Sequence, residues 1–219
     1  MSQTSLEHKH LRASYDAPAP QLRKLANPGP LGLFSFASTT LILSLINVQT
    51  RGVAEPHIVL GMAMACGGLA QLLAGMWEFA CGNTFGATAF TSYGAFWISY
   101  ALIFIPGTGI LAAYEKAPAD LENAVAFFLT AWFVFTFIMW LGTFRTNMCL
   151  VALFFSLDMT FMFLMIGAYK GSVRCHKIGG GLGLLTAAIA YYTGAAGVLT
   201  RDVTFIQLPV GDLPKFGDV

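Results

Sequence analysis

Hydrogen-bonding side chains recur at helical spacing inside otherwise apolar stretches of this sequence. Residues 27–48 read NPGPLGLFSFASTTLILSLINV, and Thr40, Ser44 and Asn47 fall with Phe36 on one side of the helix that this stretch predicts. Such a stripe can form hydrogen bonds to neighbouring helices or to a polar solute. Because the proline-rich start also puts the positive end of the helix beside the stripe, an anion is a suitable solute. On the sequence alone, both interpretations stand.

Two carboxyl groups, Glu78 and Asp158, stand inside apolar stretches. A charge at the centre of a bilayer costs roughly 2.5–3.5 kcal/mol on insertion scales. Asp158 must therefore face a partner, a wet cavity or a subunit contact, be protonated, or form a hydrogen bond between helices. Glu78 lies near the end of its stretch, so it either reaches the interface or is buried against protein or water. Both residues are candidates for proton coupling.

No group of residues predicts catalysis or metal binding. The four cysteines contain no C-x-x-C pair, and the four histidines all lie outside the apolar stretches. Since no nucleophile–base pair or metal-ligand cluster is visible, we expect no enzyme, no metal site and no cofactor. A net charge of +1 argues against nucleic acid as a partner.

Six apolar segments must position these polar side chains. The chain of 219 residues is 56% hydrophobic and 11% charged, whereas soluble domains carry about 25% charged residues. We therefore predict an all-α polytopic membrane protein. The predicted spans are 30–48, 58–80, 86–106, 123–144, 147–169 and 178–200. They form a transmembrane domain over 27–200, between an N-terminal tail, 1–26, and a C-terminal tail, 201–219.

The positive charges favour, weakly, an orientation with both termini in the cytoplasm. Without a visible signal peptide, the tail 1–26 is interpreted as cytosolic. The inner side then carries seven basic residues: Lys9, Arg12, Arg23, Lys24, Arg145, Arg201 and Lys215. The outer side carries five: Arg51, Lys116, Lys170, Arg174 and Lys177.

The spans differ in the surfaces that they predict. The second has a stripe of small and polar residues on one side: Met64, Gly67, Gly68, Gln71, Gly75 and Glu78. The third has a hydroxyl stripe that includes Thr84 and Thr88, with Tyr93 nearly opposite on an ideal helix. Either Tyr93 and the hydroxyls have different roles, or glycines let the segment depart from ideal geometry. The fourth, aromatic on every side, predicts lipid contact or a subunit interface, and the sixth predicts a packing face of small residues.

A faint threefold repeat connects the odd-numbered spans. Asn27, Asn83 and Asn147 each stand at the start of one, and Phe36, Tyr93 and Leu157 follow nine or ten residues later. That separation is about half of a membrane at 1.5 Å per residue. Three helical hairpins around a pseudo-axis would bring these three large side chains to one level. Such a ring would gate a pathway by exclusion or dewetting.

Two long motifs resemble those of the acetate uptake transporter family, the succinate–acetate permeases and their fungal ammonia/acetate transporter relatives. The first is NPGPLGL at residues 27–33, and the second runs from GNTFG at 82–86 through TSYG at 91–94. The six-span layout extends the likeness over about 30–200. Many members of the family have Ala where Gly29 stands, and bacterial members usually carry a hydroxyl where Asp158 stands.

The resemblance implies a ring-shaped homohexamer in which each protomer has its own pathway for small carboxylates. It implies a constriction made by Phe36, Tyr93 and Leu157, in agreement with the repeat, and a role for Asn27 in uptake. We expect uncharged groups to replace the water around the anion: Thr40, Gln71, Asn83, Thr84, Thr88 and Tyr93.

The sequence therefore predicts a multi-pass transporter or channel in the plasma membrane for acetate and related short carboxylates, with succinate as a candidate and proton coupling undecided. Two alternatives remain. One is a channel for ammonia, ammonium or another small solute, and the other is a membrane sensor that does not transport.

Overall fold

The computed structural model describes residues 25–214, and six long helices account for most of them. We number these α1, Gly29–Asn47; α2, Pro56–Ala80; α3, Thr84–Phe104; α4, Pro118–Leu141; α5, Met148–Lys170; and α6, Val173–Val198. Residues 25–214 contain no β-strand, although one isolated antiparallel bridge joins Asn147 to Asp212. The predicted all-α class is confirmed. Residues 1–24 and Lys215, which carry five of the seven inner charges, lie outside the described range.

The observed helices match the six predicted spans within a few residues, with two larger differences. Five of them are long and apolar enough to cross a membrane, and α3, with 21 residues, is the sixth long helix. Helix α4 begins at Pro118 rather than at 123, because proline suits the first turn of a helix. Helix α6 begins at Val173 rather than at 178, because the Ser172 side chain caps it. The segment between the third and fourth predicted spans, 107–122, is also less of a loop than expected, because α4 begins early and a short helix, Ile110–Ala113, occupies its middle.

The second span is not a uniform α-helix. A segment of π-helix, Ala65–Ala70, separates α-helical Val59–Met64 from Gln71–Ala80. Gln71, Gly75 and Glu78 are buried as the predicted stripe requires, but Met64 is exposed. Met64 departs from the rest of the stripe because a π-turn holds more residues than an α-turn and so shifts the register across the segment.

Small residues allow α6 to lie close to both α1 and α5. A Cβ atom added to Gly180 would stand 2.8 Å from Asn47 of α1, and one added to Gly179 would stand 2.8 Å from Leu164 of α5. Both values are shorter than real Cβ contacts, so these faces require glycine. The predicted packing face of the sixth span is confirmed.

The fourth helix, α4, packs against α5 and makes side-chain contacts with α3, and the rest of its surface is largely uncovered. Its large side chains include Phe127, 64% exposed, and Ile138, 60% exposed. The aromatic residues of this helix therefore form an outer surface suited to lipid or to another subunit. Four residues of α4 are buried and face inward: Ala126, Leu129, Thr136 and Met139.

The segment after α6 returns to the start of α5, which the sequence did not predict. The backbone N–H groups of Met148 and Cys149 donate to the carbonyl oxygens of Gly211 and Val210 at 2.8 and 3.2 Å. The Tyr192 hydroxyl donates to the Pro209 carbonyl at 2.8 Å. These bonds satisfy two of the N–H groups that the first turn of a helix leaves free.

Candidate functional site

Two of the three predicted asparagines meet where α1 and α3 begin. Asn27 accepts a hydrogen bond through Oδ1 from the Gly29 amide at 3.0 Å, and Asn83 accepts one from the Gly86 amide at 3.0 Å. The Nδ2 group of Asn83 donates to Glu78 Oε2 at 2.8 Å. Each asparagine thus orders the first turn of its helix, and Asn83 also holds the carboxyl group of α2.

The buried carboxyl group of Glu78 lies beside these two asparagines, at the opening of a cavity that we call the mouth, and not at the lipid surface. Its side chain is 4% exposed and lines the same cavity as Asn27 and Asn83. Gly29 and Gly86 leave room for it, since their added Cβ atoms would come within 3.4 Å of Glu78 Oε1 and 3.0 Å of Glu78 Cδ. Of the two alternatives for Glu78, the structure therefore shows burial against protein.

A cavity of about 180 Å³ extends inward from this mouth. A single water needs only about 10–15 Å³ on such a measure, so the cavity has room for a small solute with some of its water. Phe36, Tyr93 and Leu157 all line it, with exposures of 5%, 3% and 3%. The ring centroids of Phe36 and Tyr93 are 5.9 Å apart. The structure thus brings the three predicted constriction residues together on one cavity.

The amide of Gln71 is the most deeply buried polar group on this cavity. Its side chain is 1% exposed, and its Oε1 atom has no hydrogen-bond partner. Thr193 of α6 lines the cavity as well, although its hydroxyl donates to the Ile189 carbonyl at 2.8 Å. The sequence did not indicate Thr193, because α6 was interpreted as a packing helix alone.

Four predicted site residues do not line the cavity. Thr40 is buried with an unpartnered hydroxyl, and Asp158 is 2% exposed with an unpartnered Oδ1 atom. Thr84 is exposed and Thr88 is half-buried. The physical reason for Thr84 and Thr88 is that α3 stays regular from end to end, so turning Tyr93 inward turns the hydroxyl stripe away.

The hydroxyl of Tyr93 points away from the other cavity groups. It forms a 2.8 Å hydrogen bond with the Thr136 hydroxyl on α4. The ring, in contrast, lies against Phe36, Phe135 and Phe154, with centroids 5.4–6.2 Å away. Tyr93 therefore presents its ring to the cavity. In this structure its hydroxyl is not placed to donate a hydrogen bond there, which differs from the prediction.

A second cavity, of about 220 Å³, lies on the other side of the constriction residues. Its lining includes Leu43, Tyr100 and Leu164, which follow Phe36, Tyr93 and Leu157 by seven residues each. Seven residues are two helical turns, or about 10 Å. His176 and Asn47 are its polar lining groups nearest to a helix end. Each of the three odd-numbered helices thus contributes one residue of the repeat to each cavity.

Comparison with known proteins places this geometry in a family. A model of the GPR1/FUN34/yaaH family matches residues 10–215. The chain is 46% identical to "Ammonia transport outward protein 2" of Saccharomyces cerevisiae over 91% of the chain and 70% of that protein. It is 40% identical to "Succinate-acetate/proton symporter SatP" of Escherichia coli K12 over 86% of the chain and 97% of that protein.

A solved structure is similar to this chain in both fold and sequence. The structure described as that of the bacterial acetate channel SatP superposes with a TM-score of 0.76 and 39% identity, over 86% of this chain and all of that one. The resemblance inferred from the two motifs is confirmed. With its six apolar helices, its matched motifs and these relatives, the chain belongs to the GPR1/FUN34/yaaH family.

Proposed function

We propose that this chain provides a transmembrane pathway for acetate and related short carboxylates, with succinate as a candidate. One observation carries the proposal: an uncharged constriction of Phe36, Tyr93 and Leu157 stands between two cavities, the first of which opens at Asn27 and Asn83. The names of the bacterial relatives, a succinate-acetate/proton symporter and an acetate channel, support the same substrate class.

The mechanism follows from the polarity of the first cavity. A carboxylate that leaves water must exchange its hydrogen bonds for donors in the protein. The amides of Asn27, Gln71 and Asn83 can supply donors without a fixed positive charge, which keeps binding weak enough for release. The apolar constriction then excludes hydrated ions and closes when no anion is present.

We propose that two carboxyl groups, which differ in their positions, take part in proton coupling. Glu78 lies on the first cavity and is held by Asn83, so it can respond to the pH at the mouth. Asp158 follows Leu157 directly in the chain and is buried without a partner for Oδ1. Its protonation would therefore act on the constriction from outside the first cavity. Proton movement with the anion would use one or both of these groups.

The quaternary structure and location belong to the same proposal. We propose a ring-shaped homohexamer in the plasma membrane, with both termini in the cytoplasm and without enzymatic activity. The exposed apolar face of α4 supports a subunit contact, because Phe127 and Ile138 offer a surface that water would not favour. Native mass spectrometry of the purified protein would measure the number of subunits, and a monomer in mild detergent would contradict the ring.

Uptake of labelled acetate into proteoliposomes tests the pathway. We expect uptake above that of empty liposomes in ammonium-free buffer, and an altered selectivity or leak for Tyr93→Ala. Measurement against pH, with and without a membrane potential, separates proton-coupled from passive flux. Absence of acetate uptake by the folded wild-type protein would refute the proposal and favour a sensor.

Ammonia or ammonium is the second candidate solute, and a named relative favours it. The protein of Saccharomyces cerevisiae described above carries ammonia transport in its name and is 46% identical to this chain. Methylammonium flux through the same proteoliposomes tests this candidate. Methylammonium flux without acetate flux would replace the carboxylate proposal.

A further inference from the structure

The hydroxyl of Tyr93 and the hydroxyl of Thr136 form a buried pair behind the constriction. Their oxygens are 2.8 Å apart, and the side chains are 3% and 0% exposed. The ring of Tyr93 also packs against Trp132 of α4, with centroids 5.9 Å apart. The phenol is therefore held to α4 while its ring faces the first cavity.

Thr136 differs from most threonines in the interiors of the helices. Five of them donate to the carbonyl oxygen four residues earlier: Thr39, Thr130, Thr160, Thr186 and Thr193. That local bond is the usual way for a threonine in a helix to satisfy its hydroxyl. Among the hydrogen bonds of residues 25–214, the Thr136 hydroxyl instead has its bond with Tyr93. The pair is thus an interhelical contact in which each hydroxyl depends on the other.

We propose that Thr136 is a positioning residue that sets the selectivity of the pathway by keeping the Tyr93 hydroxyl out of it. This inference rests on the proposed function, because it concerns the same constriction. While Thr136 holds the hydroxyl, only the ring of Tyr93 faces the pathway, and the ring is an apolar barrier to hydrated polar solutes. A phenol that has lost Thr136 is a buried donor without a partner, which is costly, so it turns toward the water of the first cavity.

The expected change in selectivity follows from this rotation of the Tyr93 side chain toward the first cavity. A hydroxyl on the cavity side supplies a hydrogen bond at the narrowest point, where polar solutes otherwise find none. We therefore expect Thr136→Val, which keeps the shape and removes the hydroxyl, to raise permeability to a neutral polar solute such as urea relative to acetate. The expected increase is about fivefold, the factor that one neutral hydrogen bond of about 1 kcal/mol provides.

The variants are chosen to separate the hydrogen bond from packing. Thr136→Ser keeps a hydroxyl and should stay within about twofold of the wild type. Thr130→Val removes a similar threonine–tyrosine bond on α4, the 3.2 Å contact with the exposed Tyr169, and should change nothing. In the double variant Thr136→Val with Tyr93→Phe, no hydroxyl is left to turn inward, so the urea-to-acetate ratio should return to that of Tyr93→Phe.

Urea and acetate permeabilities of proteoliposomes measure the ratio, and thermal unfolding in detergent measures the same pair independently of transport. An unchanged ratio for Thr136→Val overturns the proposal. A double variant that leaks as much as Thr136→Val also overturns it, because the cause is then packing. If the wild type carries no acetate, the proposed function fails by itself. In that case a strictly additive unfolding cycle rejects the hydroxyl pair, and a non-additive one retains it.

Discussion

A methyl group added at Gly86 should disconnect the mouth of the pathway without unfolding the protein. The Cβ atom of Gly86→Ala would stand 2.5 Å from Asn83 Nδ2 and 3.0 Å from Glu78 Cδ, so at least one side chain must move. The 2.8 Å bond between Asn83 and Glu78 is then lost. Hydrogen bonds to charged groups contribute about 1.5–3 kcal/mol.

The loss of this hydrogen bond should affect the free energy of unfolding and the rate of transport unequally. Alanine favours a helix over glycine by about 1 kcal/mol, which offsets much of the loss in the free energy of unfolding. No similar compensation acts on the arrangement of the mouth. If the pair orients Asn83 toward the anion, a loss of 1.5–3 kcal/mol corresponds to uptake that is about 10- to 140-fold slower.

The assay is initial acetate uptake at subsaturating concentration in proteoliposomes, with thermal unfolding measured on the same preparations. Gly181→Ala is the matched control, because a Cβ atom there meets nothing within 4 Å. Asn83→Asp keeps the acceptor for the Gly86 amide but removes the donor to Glu78, so it should reproduce the effect. Wild-type uptake by Gly86→Ala would show that the pair does not orient the pathway.

Three further substitutions address single polar groups. Asn27→Ala should lower uptake and cost about 0.5–2 kcal/mol of unfolding free energy, since it removes the bond to the Gly29 amide; loss of folding rather than of uptake would contradict this. Gln71→Leu should leave the melting temperature unchanged or raise it, because the amide oxygen has no partner, yet it should slow acetate uptake; normal uptake would remove Gln71 from the pathway. Asp158→Asn keeps the shape and removes the titrating group, so the dependence of flux on pH should flatten; an unchanged profile would exclude Asp158 from coupling.

The helices and the meeting of Phe36, Tyr93 and Leu157 on one cavity were predictable, because both depend on regular periodicity. Long apolar segments give the spans, and a nine- or ten-residue offset from Asn27, Asn83 and Asn147 gives the depth of Phe36, Tyr93 and Leu157. The same regularity explains the correct alternative for α3, in which Tyr93 and the hydroxyl stripe face opposite ways.

What the sequence could not give depends on tertiary contacts. The π-helical segment, Ala65–Ala70, breaks the periodicity that placed Met64 on the buried stripe. The partner of the Tyr93 hydroxyl stands 43 residues away on a helix that its aromatic composition marks as peripheral. The burial of Glu78 likewise follows from Gly29 and Gly86, whose lack of side chains matters only once α1, α2 and α3 are packed together.

The return of the C-terminal segment to α5 makes the starts of the three repeats unequal in hydrogen bonding, although the repeats are alike in shape. At α1 and α3 the asparagines border open space, whereas at α5 the peptide carbonyls of Val210 and Gly211 already cover the first amides. An approaching solute therefore meets side-chain amides at two of the three helix starts and a main-chain cover at the third. The threefold likeness in shape does not extend to the chemistry at the helix starts.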